Sequence, residues 1–267
     1  MACRKILLPM THPDKSIPLT SPESRDRPEA WLGSTSLLDL EDPKLRIRVL
    51  RTTQLATTEV NKAVAIHDYI KSMPFGCIAG FEHVRAGAVL RAGRGDCHTK
   101  GTLFVAMMRL AGIPARLKFV SLSSVFLQGI IDLPAGNIVI HAVGEVYLKN
   151  IWLQTDTYVT DTPLESSATL LLTRDKKSIG FGIHAQAQRF WGGETHAHAQ
   201  YCEGDPSSMP RCDWGAAHDP ELFYSGKGHE ELQLGWITRL KWMVAAAVVN
   251  RRVAAMRLQA AAHHASY

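Results

Sequence analysis

The sequence predicts an α+β fold, with helices packed on an antiparallel sheet and a helical extension at the C-terminus. Three stretches carry that prediction. Arg91–Phe119, RAGRGDCHTKGTLFVAMMRLAGIPARLKF, reads as a glycine loop, a buried helix, a Gly-Ile-Pro stop and a strand starting near Ala115. Asn137–Thr157, NIVIHAVGEVYLKNIWLQTDT, alternates like two strands joined at Lys149-Asn150. Leu234–Ala262 reads as one long helix, with Trp236, Leu240, Met243, Val249, Val253 and Met256 among its apolar positions.

In chain order, Thr11–Pro28 is rich in proline, serine and charge and is expected to be an irregular arm. Asp42-Pro43 is a helix start, with proline at the first helical position. The following LRIRVLR alternates, so helix and strand both stay open. Thr57 or Thr58 caps a clearer helix, on which Val60, Val64, His67 and Ile70 recur at helical spacing. His67 is there expected to be a hydrogen-bonded core histidine. Pro74 ends that helix, and Val84–Leu90 is a short helix ahead of the glycine loop. Leu170-Leu171-Leu172 is read as core. The chain divides into an N-terminal arm (1–41), a core (42–165) and an extension packed on the core (166–267).

The chemistry concentrates in the first two stretches. Asp96 is a good N-cap, which puts Cys97 at the positive end of a helix. That end favours thiolate over thiol, and the thiolate is the nucleophile. The unpaired N–H groups there can also hold a developing oxyanion. Gly93 and Gly95 allow a substrate backbone to come close. On the hairpin, His141 shares a strand face with Val139, Val143 and Glu145. A two-residue turn at Lys149-Asn150 pairs Leu148 with Ile151 and Val143 with Asp156, so Asp156 falls beside His141 on the same face. The histidine can take the thiol proton while the aspartate fixes its tautomer. His98 follows Cys97 directly, but adjacent helix positions point about 100° apart, so it ranks below His141 as the base. Asp161 is the rival acid. An asparagine at 156 is expected to be milder than an alanine, since an amide oxygen can accept the imidazole N–H.

The motifs GDCHTKGTLFVAMMRLAGIPARLKFV and HAVGEVYLKNIWLQTD resemble the transglutaminase-like superfamily, a papain-like group with a Cys-His-Asp triad. The resemblance runs from about Leu45 to Asp161. It implies Cys97 as nucleophile, His141 as general base and Asp156 as the orienting acid, on a papain-like α+β core. It also implies acyl transfer through a thioester on peptide or amide substrates. Water (protease or amidase) and an amine (transglutaminase) both stay open as acceptor, with hydrolysis preferred. A non-enzymatic binding module on the same fold is the other class.

The remaining composition narrows the setting. The chain has 267 residues, 46% of them hydrophobic, enough for a sizeable core. Net charge is +5, but lysines and arginines are scattered, which argues against a nucleic-acid arm. Five irregularly spaced cysteines argue against a disulfide framework. The His/Cys-containing segment 184–218 lacks zinc spacing and is expected to be a loop-rich extension, so neither cofactor nor metal is expected. The start of the chain shows no secretory signal, which leads to a cytoplasmic expectation. The apolar run Trp242–Val249 falls far short of the roughly 20 residues a membrane span needs. The basic C-terminal helix is instead expected to pack on the domain or on a second copy of the chain.

Overall fold

The computed structural model describes residues 27–225, apart from 79, 81, 82 and 135, and residues 245–258. The N-terminal arm up to residue 26 and both ends of the expected Leu234–Ala262 helix lie outside the described residues. Within the second half of the expected arm (1–41), Trp31, Leu37, Leu38 and Leu40 are buried in the core.

The architecture is α+β. Helix α1 (Pro43–Thr53) is capped by Asp42, whose carboxylate accepts from the Lys44 and Leu45 amides. This settles the LRIRVLR ambiguity. Helical spacing buries Leu45 and Val49, whereas the intervening Ile47 is left 50% exposed, which a half-buried strand would not do. Helix α2 (Glu59–Ser72) is capped by Thr58 and buries Ala63, Ile66, His67 and Ile70. Its apolar face is therefore turned slightly from the sequence reading, with Val60 and Val64 half-buried at the margin against Gly193. Helix α3 (Ala86–Ala92) ends at Gly93, whose φ of 62° is left-handed and suits glycine.

Helix α4 (Cys97–Leu110) is the centre of the fold, with every residue from Thr99 to Arg109 buried. Helices α1, α2 and α3 pack around it on one side, and strands β1 (Ala115–Ser123) and β2 (Ile138–Leu148) cover the other. Lys149 and Asn150 form the turn with φ of 50° and 66°. Both values are left-handed, as the tightest hairpin turns require. Strand β3 (Ile151–Thr155) then returns with Leu148 opposite Ile151 and Gly144 opposite Thr155.

Helix α5 (Thr162–Asp175) follows, capped by Asp161. Of its leucine run only Leu172 is fully buried, since Leu170 is 39% exposed, so the run as a whole is not core. Two short strands, β4 (Ile179–Gly180) and β5 (Ile183–His184), make a separate ribbon. Strand β6 (Cys212–Ala217) joins the main sheet beside β1, giving the antiparallel order β3-β2-β1-β6. Helix α6 (Pro220–Tyr224) follows it. Helix α7 (residues 245–258) buries Ala246, Val249, Val253 and Met256. Among the described residues no helix is long and apolar enough to cross a membrane.

One glycine decides how closely α4 meets the sheet. A Cβ on Gly144 would stand 2.6 Å from the Phe104 ring and 3.1 Å from the Tyr158 hydroxyl. Phe104 and Tyr158 are stacked at 4.5 Å and have no room to give. Gly144→Ala is therefore expected to destabilise the protein by about 1–3 kcal/mol, the usual cost of overpacking. A thermal melt of the variant unchanged from the parent would contradict this account of the contact.

Candidate active site

Cys97 opens α4. Its neighbour Asp96 forms a reciprocal cap with Thr99: the carboxylate accepts from the Thr99 amide at 2.9 Å, and the Thr99 hydroxyl bonds to Asp96 in return. The Asp96 charge is thus occupied within the cap. The two loop glycines differ in role. A Cβ on Gly95 would stand 2.6 Å from Thr99 Oγ1 and 3.1 Å from the Lys100 amide, so packing demands glycine there. A Cβ on Gly93 would meet nothing within 4 Å, so only its turn geometry demands one.

Strand β3 stops opposite Gly144, leaving the outer edge of β2 uncovered from Ile138 to Val143. The first turn of α4 sits against that edge: His98 Nε2 lies 3.2 Å from the Ile140 carbonyl. This brings Cys97 to His141, which pairs with Val120 on the inner side of β2. Asp156 lies one residue beyond the last rung of the ladder, and its amide turns away to the Ala197 carbonyl at 3.2 Å. Its side chain stays on the His141 face, where Oδ2 lies 3.0 Å from His141 Nε2. The second oxygen, Oδ1, accepts the Ala199 amide at 2.6 Å. His141 and Asp156 are fully buried. With Nε2 turned to Asp156, His141 Nδ1 has no hydrogen-bond partner elsewhere among the described residues and is the nitrogen left for the Cys97 thiol. The three residues singled out in the sequence are therefore brought together, with the aspartate anchored from both sides.

Burial alone would raise the Cys97 thiol. The neighbouring charges of His98 and His141, and their hydrogen bonds, outweigh it and bring the thiol from 9.0 to about 6. Burial alone would lower His141, but the Cys97 thiolate and the Asp156 carboxylate raise it to about 9. Between those values the pair carries a thiolate and an imidazolium.

His98 is more important to the site than its rank in the sequence reading suggested. Its Nδ1 is 3.0 Å from the Tyr224 hydroxyl and its ring is stacked on Phe119, so it is fixed beside the thiol. The carbonyl at Nε2 needs a proton there, so Nε2 is a donor whether the ring is neutral or charged. That arrangement suits a fixed polar neighbour better than a base. His67 meets its sequence expectation: it is fully buried, 2.8 Å from Asp68 and 2.7 Å from Thr157.

Sequence reasoning missed what holds Asp156 in place. The four carbonyls that follow it are gripped by two buried lysines. Lys71, from α2, donates to Thr157 O and Thr160 O and pairs with Glu165 at 2.7 Å. Lys100, one turn beyond Cys97, donates to Tyr158 O at 3.0 Å and Val159 O at 2.9 Å. Burial pushes the Lys100 ammonium down to about 7 against the pull of Asp161. Neither lysine is marked in the sequence, because each sits on an otherwise apolar helix face.

The segment 184–218 is also more than a loose extension. His198 Nδ1 is buried 3.9 Å from Asp156 Oδ2, with its ring stacked on Tyr201 at 4.3 Å. The segment thus forms a roof over the His141–Asp156 pair. Its other histidines act separately. His184 pairs with Asp205, His196 accepts the Gln154 amide, and His218 meets the Ala30 carbonyl. Asp161, the rival acid, is committed elsewhere: it caps α5, accepts the Phe75 amide at 2.7 Å and pairs with Arg257.

The family model of the transglutaminase-like superfamily matches residues 48–157. Among solved structures, the chain is similar to a candidate cysteine protease from Cytophaga hutchinsonii, at 20% identity over 46% of this chain and 39% of that one, with a TM-score of 0.38. It is also similar to a candidate protease from Parabacteroides distasonis ATCC 8503, at 17% identity over 44% of this chain and 24% of that one, with a TM-score of 0.31. The chain thus covers less than half the length of either neighbour. No curated protein matches it. With its helix-borne cysteine and its hairpin, the segment 48–157 belongs to the transglutaminase-like superfamily.

Proposed function

We propose that this chain is a cysteine hydrolase that cleaves peptide or amide bonds through a thioester on Cys97. The catalytic core lies within residues 42–165, and the later segments roof and brace it. Cys97 attacks the carbonyl carbon as thiolate, and the developing oxyanion is held by N–H groups at the start of α4. His141, already an imidazolium in the resting pair, gives its proton to the leaving amine. It then takes a proton from water, whose oxygen attacks the thioester and releases the acid and the Cys97 thiolate, which restores the resting pair. Asp156 keeps Nε2 of His141 protonated and aims Nδ1 at the sulfur. Water is the acceptor we favour.

The observation that carries this reading is the unbroken Cys97–His141–Asp156 chain, with the thiol lowered to about 6 and the imidazole raised to about 9. A packed core cysteine next to no base would be raised by burial instead. The pH dependence follows from the same two shifts. Activity is expected to fall below about 6 as the thiolate is protonated, and above about 9 as the imidazolium loses the proton meant for the leaving amine.

The test uses iodoacetamide at pH 6.5 followed by peptide mapping. Cys97 is expected to be alkylated well ahead of Cys77, Cys202 and Cys212. If one of those is modified first while Cys97 stays intact, the nucleophile assignment fails. Turnover of a peptide library with and without added primary amine then identifies the acceptor. Products that appear only with the amine would overturn hydrolysis and leave the thioester in place.

A further inference from the structure

We infer that Asn250 and Arg257 of α7 are positioning residues of this site, acting through a splint at Pro74–Cys77 that holds the nucleophile loop and the acid loop in register. The inference rests on the triad reading proposed above. Helix α7 lies outside the segment 48–157 that defines the family, so this brace belongs to the rest of the chain.

The splint is a short extended segment with partners on three sides. On the nucleophile side, the Gly76 amide donates to Gly95 O at 3.0 Å and the Gly95 amide to Pro74 O at 3.2 Å. These bonds make a parallel bridge between Phe75 and Gly95, two residues before Cys97. On the acid side, the Phe75 amide donates to Asp161 Oδ2 at 2.7 Å, five residues after Asp156. On the third side is α7. Asn250 Oδ1 accepts the Cys77 amide at 2.8 Å while its Nδ2 donates to the Cys77 carbonyl at 3.0 Å, as a neighbouring strand would. Arg257 Nε donates to Asp161 Oδ1 at 2.9 Å, and its Nη2 spans Asp161 Oδ2 and the Phe75 carbonyl. The approach is close enough to require glycine: a Cβ on Gly76 would stand 2.5 Å from Asn250 Oδ1.

Anchoring α7 needs none of this. Val249, Val253 and Met256 already bury its apolar face. Asn250 and Arg257 spend their hydrogen bonds on a segment that is itself hydrogen-bonded to both loops, and on the carboxylate that caps the helix after Asp156. A bidentate guanidinium fixes position and angle together. Relaxing it lets Gly95 and Asp161 drift independently, and with them the Cys97–His141 contact on which the lowered thiol depends.

The test follows Cys97 alkylation by iodoacetamide against pH in the full chain, for the parent and for Asn250→Ala, Arg257→Gln and Arg257→Lys. In Arg257→Gln, still folded by circular dichroism, the pH midpoint is expected to rise by about one unit, which slows alkylation about tenfold on the acid side. Asn250→Ala should shift it in the same direction by less, and Arg257→Lys should recover part of the loss. Parent midpoints in both Asn250→Ala and Arg257→Gln would overturn the inference, because a merely packing role leaves the thiol unchanged. Hydrogen exchange of the unmodified chain decides the case if the variants do not fold. The amides of Gly76, Cys77 and Gly95 should open in one step with those of residues 249–256. Gly95 opening independently of α7 would overturn the inference. Absence of selective Cys97 alkylation in the parent would instead defeat the triad reading, with the exchange result still testing the splint.

Discussion

His141→Ala is expected to lower turnover by about 10²–10⁴-fold, the range a positioned acid-base group contributes. Cys97→Ser should remove the thioester altogether. Neither change should unfold the protein, because the helix cap at Asp96 and Thr99 does not depend on the sulfur, and the β1–β2 ladder does not depend on the imidazole. On the proposed reading the three residues act as a unit, so His141→Ala combined with Asp156→Ala should be scarcely worse than His141→Ala alone. Asp156→Asn is where the structure changes the expectation. From sequence alone, an amide oxygen can accept the imidazole N–H. Both carboxylate oxygens, however, accept N–H groups, one from His141 and one from Ala199. Asparagine has only one oxygen, so its NH₂ must face one of these donors. Asp156→Asn should therefore cost about as much as Asp156→Ala. Turnover within a few-fold of the parent for Asp156→Asn would mean that the Ala199 contact does not hold the acid.

Asp161→Ala is expected to act on stability, in contrast to the activity loss at Asp156. It strands the Arg257 guanidinium, leaves the Phe75 amide without its acceptor and uncaps α5. Breaking a largely buried pair by removing one partner costs about 3–5 kcal/mol. The pH sign follows from the carboxyl itself. Burial raises it, but Arg257 and the Phe75 amide more than offset this, so it lies below its ordinary value. The stabilisation is therefore fully present above the unfolded carboxyl value and is lost as pH falls through the lowered native one. Denaturant melts of Asp161→Ala near neutral pH test the first point, and the acid limb of the parent's stability curve tests the second. If Asp161→Ala melts like the parent yet loses more turnover than Asp156→Ala, the two aspartates have been assigned the wrong way round.

The sequence made α4 and the β2–β3 hairpin legible for local reasons. A cap at Asp96, a closed apolar run and a Gly-Ile-Pro stop define the helix within a few residues. Lys149-Asn150 fixes the register that puts Asp156 on the His141 face. LRIRVLR was undecided because arginine alternation suits either element, and only burial of Leu45 and Val49 resolves it. The supports of the acid were invisible for a different reason. Lys71, Lys100 and Arg257 do their work by reaching backbone groups far along the chain, from Phe75 to Thr160. No local pattern records such a bond. His198 was legible as a histidine but not as a neighbour of Asp156, since the turn that delivers it depends on the Ala197 and Ala199 backbone contacts.

The two lysines beneath residues 157–160 have a consequence for how the protein matures. Lys71 comes from α2 and Lys100 from α4, so the turn bearing Asp156 is expected to take its shape only after both helices have docked. Until then His141 lacks its orienting partner, and Cys97 is an ordinary thiol that stays protonated at neutral pH. On the proposed triad reading, the lowered Cys97 thiol is therefore expected only in the assembled molecule. In a refolding experiment, thiolate absorbance in the far ultraviolet should appear with the last phase of assembly and not with the first helices.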